Sequence, residues 1–407
     1  MSFVFFYPQF KKLTGAERLI LKLAAYTARQ AGPGKDVIIL THRFAAECRP
    51  ALEDGVRLVE TGWPMQVTGN HYLDAAVEYA LGPALALRMQ FSKLSAVIFF
   101  GPPSVPALWF SRRFLLPLTG RKVPILYFCF EPPRFIYSDT NDIVSRLGLA
   151  GRLIQPLFRL YRQIDRRMVR AAHLVLSNSP YGSQRIKDAY GRRAVVIEHG
   201  VDFTRTNREA VNALRSKLGL EGRKVAVTVN HLHPRKRIDL FLRSVCEASG
   251  QVDSVTGLVV GGGPERESLE SLAGELGMKI GREVIFTGVV DENDLPAYYS
   301  LGNVYVHTAR EESFGLSVIE ALKLGLPVVS VNEGGPMSTV QDGVSGFLVE
   351  ATPPSVGNAL ALLLRDEEKA KEMGAAGAAF VDKHFQWERG AATLLNLIGA
   401  VEARLAR

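Results

Sequence analysis

Short apolar runs alternate with stretches of helical periodicity along the 407-residue chain. The first set of predicted strands comprises the start of the chain (MSFVFFYPQF), Val37–Leu40, Val97–Phe100, Pro124–Phe130, Leu174–Ser177 and Val195–Ile197. After a polar stretch the pattern restarts with Val225–Val229, Leu258–Val260, Val284–Phe286, Val304–His307 and Pro327–Val331. Near-continuous apolar strands separated by helices are typical of parallel sheets covered on both faces. The pattern predicts an α/β fold of two doubly wound, Rossmann-like domains facing a cleft, with ligands at the carboxyl ends of the strands.

The polar stretch Asp202–Arg223 marks the predicted boundary between the two domains. We place the first domain at residues 1–203 and the second at residues 204–385, with a helix over Arg208–Leu218 near its start. Residues 386–407 have helical periodicity and are expected to form a C-terminal helix.

The composition is that of a globular protein, with 47% hydrophobic and 22% charged residues. The most apolar candidate for a membrane span, Ala96–Phe110, is interrupted by a glycine and three prolines, and the chain starts without a basic leader. The three cysteines, Cys48, Cys129 and Cys246, are widely spaced and favour a reducing compartment without a disulfide or metal framework. We therefore expect a cytoplasmic protein, with peripheral attachment to the cytoplasmic membrane face as an option.

The net charge of +8 is concentrated in the first half of the chain. Residues 1–200 carry 27 basic and 14 acidic residues, whereas residues 201–407 carry 22 and 27. One predicted helix places Arg152, Arg159, Arg162, Arg166, Arg167 and Arg170 among Leu153, Ile154, Leu157, Phe158, Leu160 and Tyr161. Such a helix suits an anionic membrane surface or an anionic acceptor; the alternative is a solvated basic face of a core helix. The basic residues lack the aromatic motifs of nucleic-acid-binding modules, so no nucleic acid is expected as partner.

The richest segment is Val306–Leu348, VHTAREESFGLSVIEALKLGLPVVSVNEGGPMSTVQDGVSGFL. It contains Glu312 and Glu320 with seven residues between them. The pattern predicts a helix over Gly315–Leu324, which places Glu312 in the loop before the helix and Glu320 inside it. The free N–H groups and the dipole of a helix N-terminus suit a phosphate, and the two carboxylates can accept hydrogen bonds from sugar and ribose hydroxyls.

Basic residues and glycines follow two earlier strands of the second domain. Arg235, Lys236 and Arg237 form a basic loop after the strand that ends at Val229, and fixed cations of this kind can stabilise a departing diphosphate. The stretch LVVGGGPE, which contains Gly262, permits a tight turn and a close approach of backbone to ligand.

These features in this order resemble the donor site of retaining GT-B glycosyltransferases of family 4. The resemblance implies that Glu312 binds the transferred sugar and that Glu320 binds the ribose hydroxyls. It assigns backbone N–H groups of Phe314, Gly315 and Leu316 to the sugar or the phosphate.

The resemblance extends to the basic loop and to the neighbouring turns. Lys236 matches a lysine of the family, but His231 stands where the family has an arginine, and Arg235 or Arg237 could supply the missing charge. The catalytic residues implied are Glu312, Lys236 and Arg235, and the donor-binding residues implied are Gly15, His231, Arg237, Gly262, Thr287, Val289, Phe314, Gly315, Leu316 and Glu320. No metal site is expected, because the family generally needs no divalent ion and Asp291–Asp294 is typical of the start of a helix.

The first domain resembles the family less closely. Thr14-Gly15-Ala16-Glu17-Arg18 is similar to a glycine-containing turn of the family, in which Gly15 lets the donor or acceptor approach the backbone. In YFCFEPPRFIY, Phe130 replaces a histidine of the family, and Glu131 and Arg134 are the implied acceptor-binding residues. In this family the last helix crosses back to the first domain.

The sequence thus predicts a retaining, metal-independent glycosyltransferase without a cofactor. Its expected partners are a nucleotide sugar, GDP-mannose first and UDP-linked sugars second, and a lipid-linked or other glycan acceptor. An epimerase or a phosphorylase on the same fold is one alternative. A non-catalytic sugar-nucleotide-binding protein, suggested by Phe130 and His231, is the other.

Overall fold

The computed structural model describes residues 1–62, 71–89, 93–140, 144, 148–204 and 206–407, and the chain divides into two compact units. The first unit comprises Met1–Gly200 and Trp387–Arg407, and the second comprises Val201–Gln386. The first boundary precedes the predicted one by three residues, because Val201 and Phe203 pack against the core of the second unit. The ring of Phe203 lies edge-on to that of Tyr299, with centroids 6.1 Å apart.

The first unit contains a seven-stranded parallel sheet. Its strands are β1 (Ser2–Phe6), β3 (Asp36–Thr41), β5 (Val56–Glu60), β6 (Leu94–Phe100), β7 (Ile125–Phe128), β8 (Leu174–Ser177) and β9 (Val195–Val196). The strand order is β5-β3-β1-β6-β7-β8-β9, and β2 (Gln9–Phe10) pairs separately with β4 (Arg43–Phe44). Alternate residues of β1 enter two different cores, Phe3 and Phe5 on one face and Val4 and Phe6 on the other. Both faces of this sheet are therefore covered, as the apolar runs predict.

Helices cover the two faces of the first sheet. They are Gly15–Gln30, His71–Ala86, Val105–Phe110, Leu116–Thr119, Arg134–Tyr137, Gly148–Val169, Pro180–Tyr190 and Trp387–Ala406, with 3₁₀ turns at Ala46–Ala51 and Pro102–Ser104 and a π-helical turn at Ser111–Leu115. The last helix packs against Gly15–Gln30, with Trp387 buried and its ring 6.3 Å from that of Tyr26. Gly200 permits this contact, because a Cβ there would lie 2.3 Å from Cδ1 of Trp387.

The second unit contains a six-stranded parallel sheet. Its strands are β10 (Lys224–Val229), β11 (Val255–Val260), β12 (Val284–Gly288), β13 (Val304–His307), β14 (Val328–Val331) and β15 (Gly346–Val349), in the order β12-β11-β10-β13-β14-β15. Its helices are Arg208–Lys217, Ile238–Ser249, Arg266–Glu275, Leu295–Ser300, Leu316–Lys323, Pro353–Arg365 and Glu367–His384, with 3₁₀ turns at Pro234–Lys236 and Gly335–Ser338. The order reverses between the adjacent strands β10 and β13, which is where doubly wound sheets bind ligands.

Both predicted parallel sheets are present, but two edge strands, β5 and β15, were not predicted. Both are partly exposed; β5 carries Arg57 and Glu60, whereas β15 is the short apolar run Gly346–Val349. None of the three cysteines, all of which lie in the described residues, forms a disulfide. Within the described ranges, no helix is long and apolar enough to cross a membrane.

Candidate active site

Four loops of the second unit meet at the carboxyl edge of its sheet. They follow β10, β11, β13 and β14, and β10 pairs in parallel with both β11 and β13. Because parallel strands end at the same edge, the basic loop after β10 and the acidic loop after β13 become neighbours. The switch point of this sheet is therefore flanked by opposite charges.

The centre of this edge is an ion pair between Lys236 and Glu312. The Lys236 ammonium donates a hydrogen bond to Oε2 of Glu312, and the two side chains are 24% and 26% exposed. Burial by itself would raise the pKa of Glu312, but the charges of Lys236 and, to a smaller degree, His307 and Arg235 outweigh it and hold that pKa below its usual value. Glu312 is therefore a carboxylate at neutral pH, able to accept hydrogen bonds from hydroxyl groups.

Further hydrogen bonds attach the basic turn to the Glu312 loop. Thr308 donates through its hydroxyl to the carbonyl of Lys236 at 2.8 Å, and the Arg310 amide donates to the carbonyl of Arg235 at 2.8 Å. The cations and the carboxylate are thus held by backbone contacts as well as by their mutual attraction.

Arg237 connects the same turn to the loop after β14. Its two terminal nitrogens lie 3.2 and 3.0 Å from the two carboxylate oxygens of Glu333, and its Nε donates to the carbonyl of Thr308 at 2.7 Å. Its backbone has φ of +48°, in the left-handed region. The charge of Arg237 is balanced by Glu333, so this arginine orders three loops around the site.

Glycines allow the loop after β14 to lie directly on the loop after β13. The Gly335 amide donates to the carbonyl of Glu312 at 2.6 Å. A Cβ on Gly335 would lie 2.4 Å from the Cα of Phe314, and one on Gly334 would lie 2.5 Å from the carbonyl oxygen of Glu312. Any larger residue would push the backbone next to Glu312 out of place.

The helix Leu316–Lys323 begins beside the ion pair, one residue later than predicted. Gly315 is its N-cap, with φ of +86°. Glycine has no side chain to cap the first N–H groups of the helix, of which the Val318 amide donates to the carbonyl of Gly315 at 3.0 Å. The ring of Phe314 is buried, 5.9 Å from the ring of Phe385, so this side chain belongs to the core of the second unit.

Glu320 lies on this helix but is buried, with 3% of its surface exposed. One carboxylate oxygen accepts a hydrogen bond from the hydroxyl of Tyr299 at 2.8 Å. Sequence reasoning missed Tyr299, which fixes the orientation of the carboxylate from a different helix.

The remaining predicted donor residues lie in the turns after β10, β11 and β12. His231 is exposed, and the adjacent Leu232 donates its amide to the carbonyl of Gly262 at 2.9 Å. Thr287 bonds through its hydroxyl to the next carbonyl at 2.8 Å, and Val289 is 85% exposed. These residues line the same sheet edge, and in the described residues they have no hydrogen bond to the Lys236–Glu312 pair.

His307, the last residue of β13, was not recognised as a site residue from the sequence. It is fully buried, and neither ring nitrogen has a hydrogen-bond partner in the described part of the protein. Burial lowers its pKa to about 4, with Glu312 opposing and Lys236 and Arg237 assisting. A histidine ending an otherwise apolar strand, immediately before the acidic loop, was the available signal.

The predicted first-domain residues lie at the corresponding edge of the other sheet. Gly15 begins the helix Gly15–Gln30, and Glu17 turns back to accept hydrogen bonds from the Thr14 amide and hydroxyl. Tyr7 also donates to Glu17, at 3.2 Å. The N-terminus of this helix is therefore already capped by the carboxylate of Glu17.

Glu131 and Arg134 form an ion pair after β7, with 2.6 Å between Oε1 and Nε and with both side chains mostly buried. Phe130, in the position where the resemblance expects histidine, packs against Phe128 and Phe100 with centroids 5.3 and 6.2 Å away. It extends the aromatic core of the sheet and offers no hydrogen bond to a ligand.

Metal ligands do not cluster in the described residues: no group of three or more His, Cys, Asp or Glu side chains there could hold an ion. Asp291 instead accepts hydrogen bonds from the backbone and side-chain amides of Asn293, both at 2.9 Å.

Comparison with known proteins identifies a family model, relatives in sequence and solved structures of similar fold. Residues 211–380 match the family model described as glycosyl transferases group 1. The chain is 34% identical over 255 residues to a GDP-mannose-dependent alpha-(1-6)-phosphatidylinositol monomannoside mannosyltransferase of Mycolicibacterium smegmatis, covering 59% of this chain and 66% of that protein. It is 28% identical to a D-inositol 3-phosphate glycosyltransferase of Nocardioides sp., covering 59% of this chain and 56% of that protein.

The similarity in fold spans nearly the whole chain. Alr3699/HepE of Anabaena, in complex with UDP and glucose, superposes with a TM-score of 0.72 at 20% identity, over 98% of this chain and 100% of that one. WaaG, a glycosyltransferase involved in lipopolysaccharide biosynthesis, superposes with a TM-score of 0.70 at 16% identity, over 96% and 98%.

Proposed function

Given that this chain belongs to the group 1 glycosyltransferases, we propose that it transfers a sugar from a nucleotide sugar to a glycan or lipid-linked acceptor. Its two doubly wound, parallel-sheet domains are of the GT-B type that the sequence predicts. The observation that carries the proposal is the Lys236–Glu312 pair at the switch point of the second sheet, inside the segment that matches the family.

The pair explains how the site is kept ready for its donor. Lys236 and Glu312 neutralise each other in a partly buried place. When the donor binds, its diphosphate takes over Lys236, and Glu312 becomes free to accept hydrogen bonds from the sugar hydroxyls. Arg235, whose charge already acts on Glu312, adds to the positive potential at the leaving group.

The proposed reaction retains the configuration of the sugar. The bond between the anomeric carbon and the diphosphate oxygen breaks while the acceptor oxygen forms its bond on the same face. The departing diphosphate oxygen takes the proton of the acceptor hydroxyl. The protein contributes position and fixed charge, with Lys236 rather than a metal ion compensating the leaving group.

GDP-mannose is the proposed donor. The support is the GDP-mannose dependence of the Mycolicibacterium smegmatis relative, to which this chain is 34% identical over 255 residues. We propose that the base and ribose lie along Thr287, Val289 and Gly262, with Glu320 near the ribose. UDP-linked sugars are the second candidate.

The acceptor is proposed to bind at the first unit. Glu131 and Arg134 form an ion pair at the carboxyl edge of its sheet, and Gly15 opens a helix at the same edge. A phosphorylated or lipid-linked glycan suits the positive charge of this half of the chain.

The experiment that tests this function is a thermal-shift and calorimetry panel of GDP, UDP and ADP, each free and linked to sugars, with EDTA present. A ligand that binds the folded protein alone raises its melting temperature. We expect the largest rise with GDP and GDP-mannose. Glu320→Gln should reduce the rise with free GDP, whereas Glu312→Gln should reduce the extra contribution of the linked sugar.

The panel also distinguishes the alternatives. Slow hydrolysis of the bound donor, followed by NMR, should release the sugar with the anomeric configuration of the donor. Nucleotide binding without transfer or hydrolysis would indicate a non-catalytic binding protein. A protein that binds none of GDP, UDP and ADP would refute the assignment of the donor site.

A further inference from the structure

The helix Gly148–Val169 exposes a continuous apolar stripe to solvent. Leu153 is 80% exposed, Leu157 64%, Leu160 54% and Ile164 43%. Spacings of four, three and four residues place these side chains on one face of a helix. Large apolar side chains in such an arrangement usually face a core or a partner surface.

The same helix buries a charge on its opposite side. Asp165 is fully buried and accepts a hydrogen bond from the hydroxyl of Tyr137 at 2.9 Å. Arg162 and Arg166 also turn inward, and they donate to the carbonyls of Ile136 and Ala189, each at 2.6 Å. The inward side of the helix therefore makes polar contacts as well as the core contact of Val169, and it leaves Leu153, Leu157 and Leu160 exposed.

A neighbouring helical segment adds exposed aromatic and aliphatic side chains. Residues 105–119 form this segment, and its first helix, Val105–Phe110, packs against the helix Gly148–Val169. In this segment Trp109 is 38% exposed, Phe114 47% and Leu118 84%, and the rings of Trp109 and Phe114 lie 5.5 Å apart.

The charge around these apolar side chains is of one sign. Arg159, Arg167 and Arg170 are exposed near the stripe, and Arg112 and Arg113 are exposed on the neighbouring segment. Residues 105–122 and 148–170 contain a single carboxylate, the buried Asp165. A surface that combines apolar side chains with unopposed arginines fits anionic headgroups above a hydrocarbon layer better than it fits water or an apolar protein surface.

We propose that this face, formed by the helix Gly148–Val169 and residues 105–119, docks the protein on the surface of a bilayer that contains anionic lipids. The leucines and the aromatic rings enter the boundary between headgroups and acyl chains, and the arginines contact lipid phosphates. The inference goes beyond the proposed function, because it holds for any reaction that the protein catalyses.

Vesicle co-sedimentation of the full chain tests the proposal. The unmodified protein should sediment with vesicles of phosphatidylcholine and phosphatidylglycerol, bind phosphatidylcholine alone much more weakly, and be released by salt. Leu153→Ser with Leu160→Ser should lower the binding constant at least about tenfold, because burying a leucine side chain contributes at least that factor. Ile280→Ser is the matched control, since Ile280 is 53% exposed on the second unit and should leave binding unchanged.

The contribution of charge is tested separately. Arg167→Gln with Arg170→Gln should weaken binding to anionic vesicles and reduce its dependence on salt, whereas Arg243→Gln, at an exposed position of the second unit, should do neither. The substituted side chains are exposed, so the melting temperature should stay within about 2 °C in every variant.

Three results would overturn the proposal. The first is absence of binding to anionic vesicles. The second is loss of binding in the arginine variant but not in the leucine variant, which would indicate general electrostatic attraction. The third is a protein that is dimeric in solution and becomes monomeric in the leucine variant while vesicle binding persists, which would assign the face to a second copy of the chain.

Discussion

Replacing only the cation of the Lys236–Glu312 pair should lower the free energy of unfolding at least as much as replacing both residues. Lys236→Met leaves Glu312 with about three quarters of its surface covered and without its hydrogen-bonded cation. Breaking a fully buried pair costs about 3–5 kcal/mol, and the partial exposure of both side chains reduces this, so we expect about 2 kcal/mol for the second unit. The double variant with Glu312→Gln should lose no more than the single one, so the effects of the two substitutions should not add.

The destabilisation in Lys236→Met should depend on pH. With the lysine removed, burial dominates and raises the pKa of Glu312. A carboxyl group with a raised pKa in the folded state costs no stability while protonated and destabilises as the pH rises through that pKa. The loss relative to wild type should therefore be largest near pH 7 and smaller near about pH 5.

Urea denaturation can separate the two units. None of the three tryptophans lies between residues 201 and 386, so tryptophan fluorescence follows the first unit while circular dichroism follows both. Lys236→Met and the double variant should shift a urea transition followed by circular dichroism and leave the transition followed by tryptophan fluorescence unchanged.

Lys323→Met is the matched control, because Lys323 pairs with Asp382 in the same unit, where Asp382 is 57% exposed. This surface variant should cost less than about 1 kcal/mol. Additive effects of Lys236→Met and Glu312→Gln, or a cost equal to that of the control, would refute the account of the pair.

Three further outcomes are expected. Gly335→Ala should destabilise the second unit by about 3 kcal/mol and abolish the thermal shift with nucleotide, because the added Cβ would lie 2.4 Å from the Cα of Phe314. In Gly343→Ala the added Cβ meets nothing within 4 Å, so this variant should retain the thermal shift with nucleotide. Tyr299→Phe should cost about 2 kcal/mol in urea denaturation and weaken nucleotide binding in calorimetry, because the buried Glu320 loses a hydrogen bond; unchanged affinity would remove Glu320 from the site. The pKa of His307 is about 4 in the folded protein, against 6.5 for an unperturbed histidine of the unfolded chain. Stability that is present above about pH 6.5 should therefore be lost as the pH falls towards 4, by up to about 3 kcal/mol. His307→Gln should reduce this dependence of the unfolding free energy on pH, followed by circular dichroism, and an unchanged dependence would contradict the prediction.

Strand prediction succeeded for the inner strands of the two sheets and failed at two edge strands. Leu174–Ser177 and Val304–His307 have the predicted bounds, because central strands of a parallel sheet are apolar on both faces. The missed strands are partly open to solvent: Val56–Glu60 carries Arg57 and Glu60, and Gly346–Val349 is a run of four residues that begins with glycine, a residue that is rare in strands.

The ion pairs of the site join residues that are far apart in the sequence, so the sequence alone does not reveal them. Glu312 and Lys236 were both singled out from the sequence, but their ion pair joins residues 76 positions apart. Arg237 was predicted to bind the donor, and its two bonds to Glu333, which join residues 96 positions apart, show that its charge is balanced within the protein. Such pairs follow from the strand order, which places β13 between β10 and β14.

The sequence by itself determined the parallel sheets, the position of the charged loops after particular strands and the amphipathic character of the helix Gly148–Val169. Tertiary structure decided which charges neutralise each other and which face of that helix is covered. Periodicity shows that one side of a helix is apolar, but it does not show which surface will cover that side. In this protein the buried side holds Asp165 and the leucines remain in solvent, because the tyrosine and backbone carbonyl groups that receive the polar side come from other elements of the first unit.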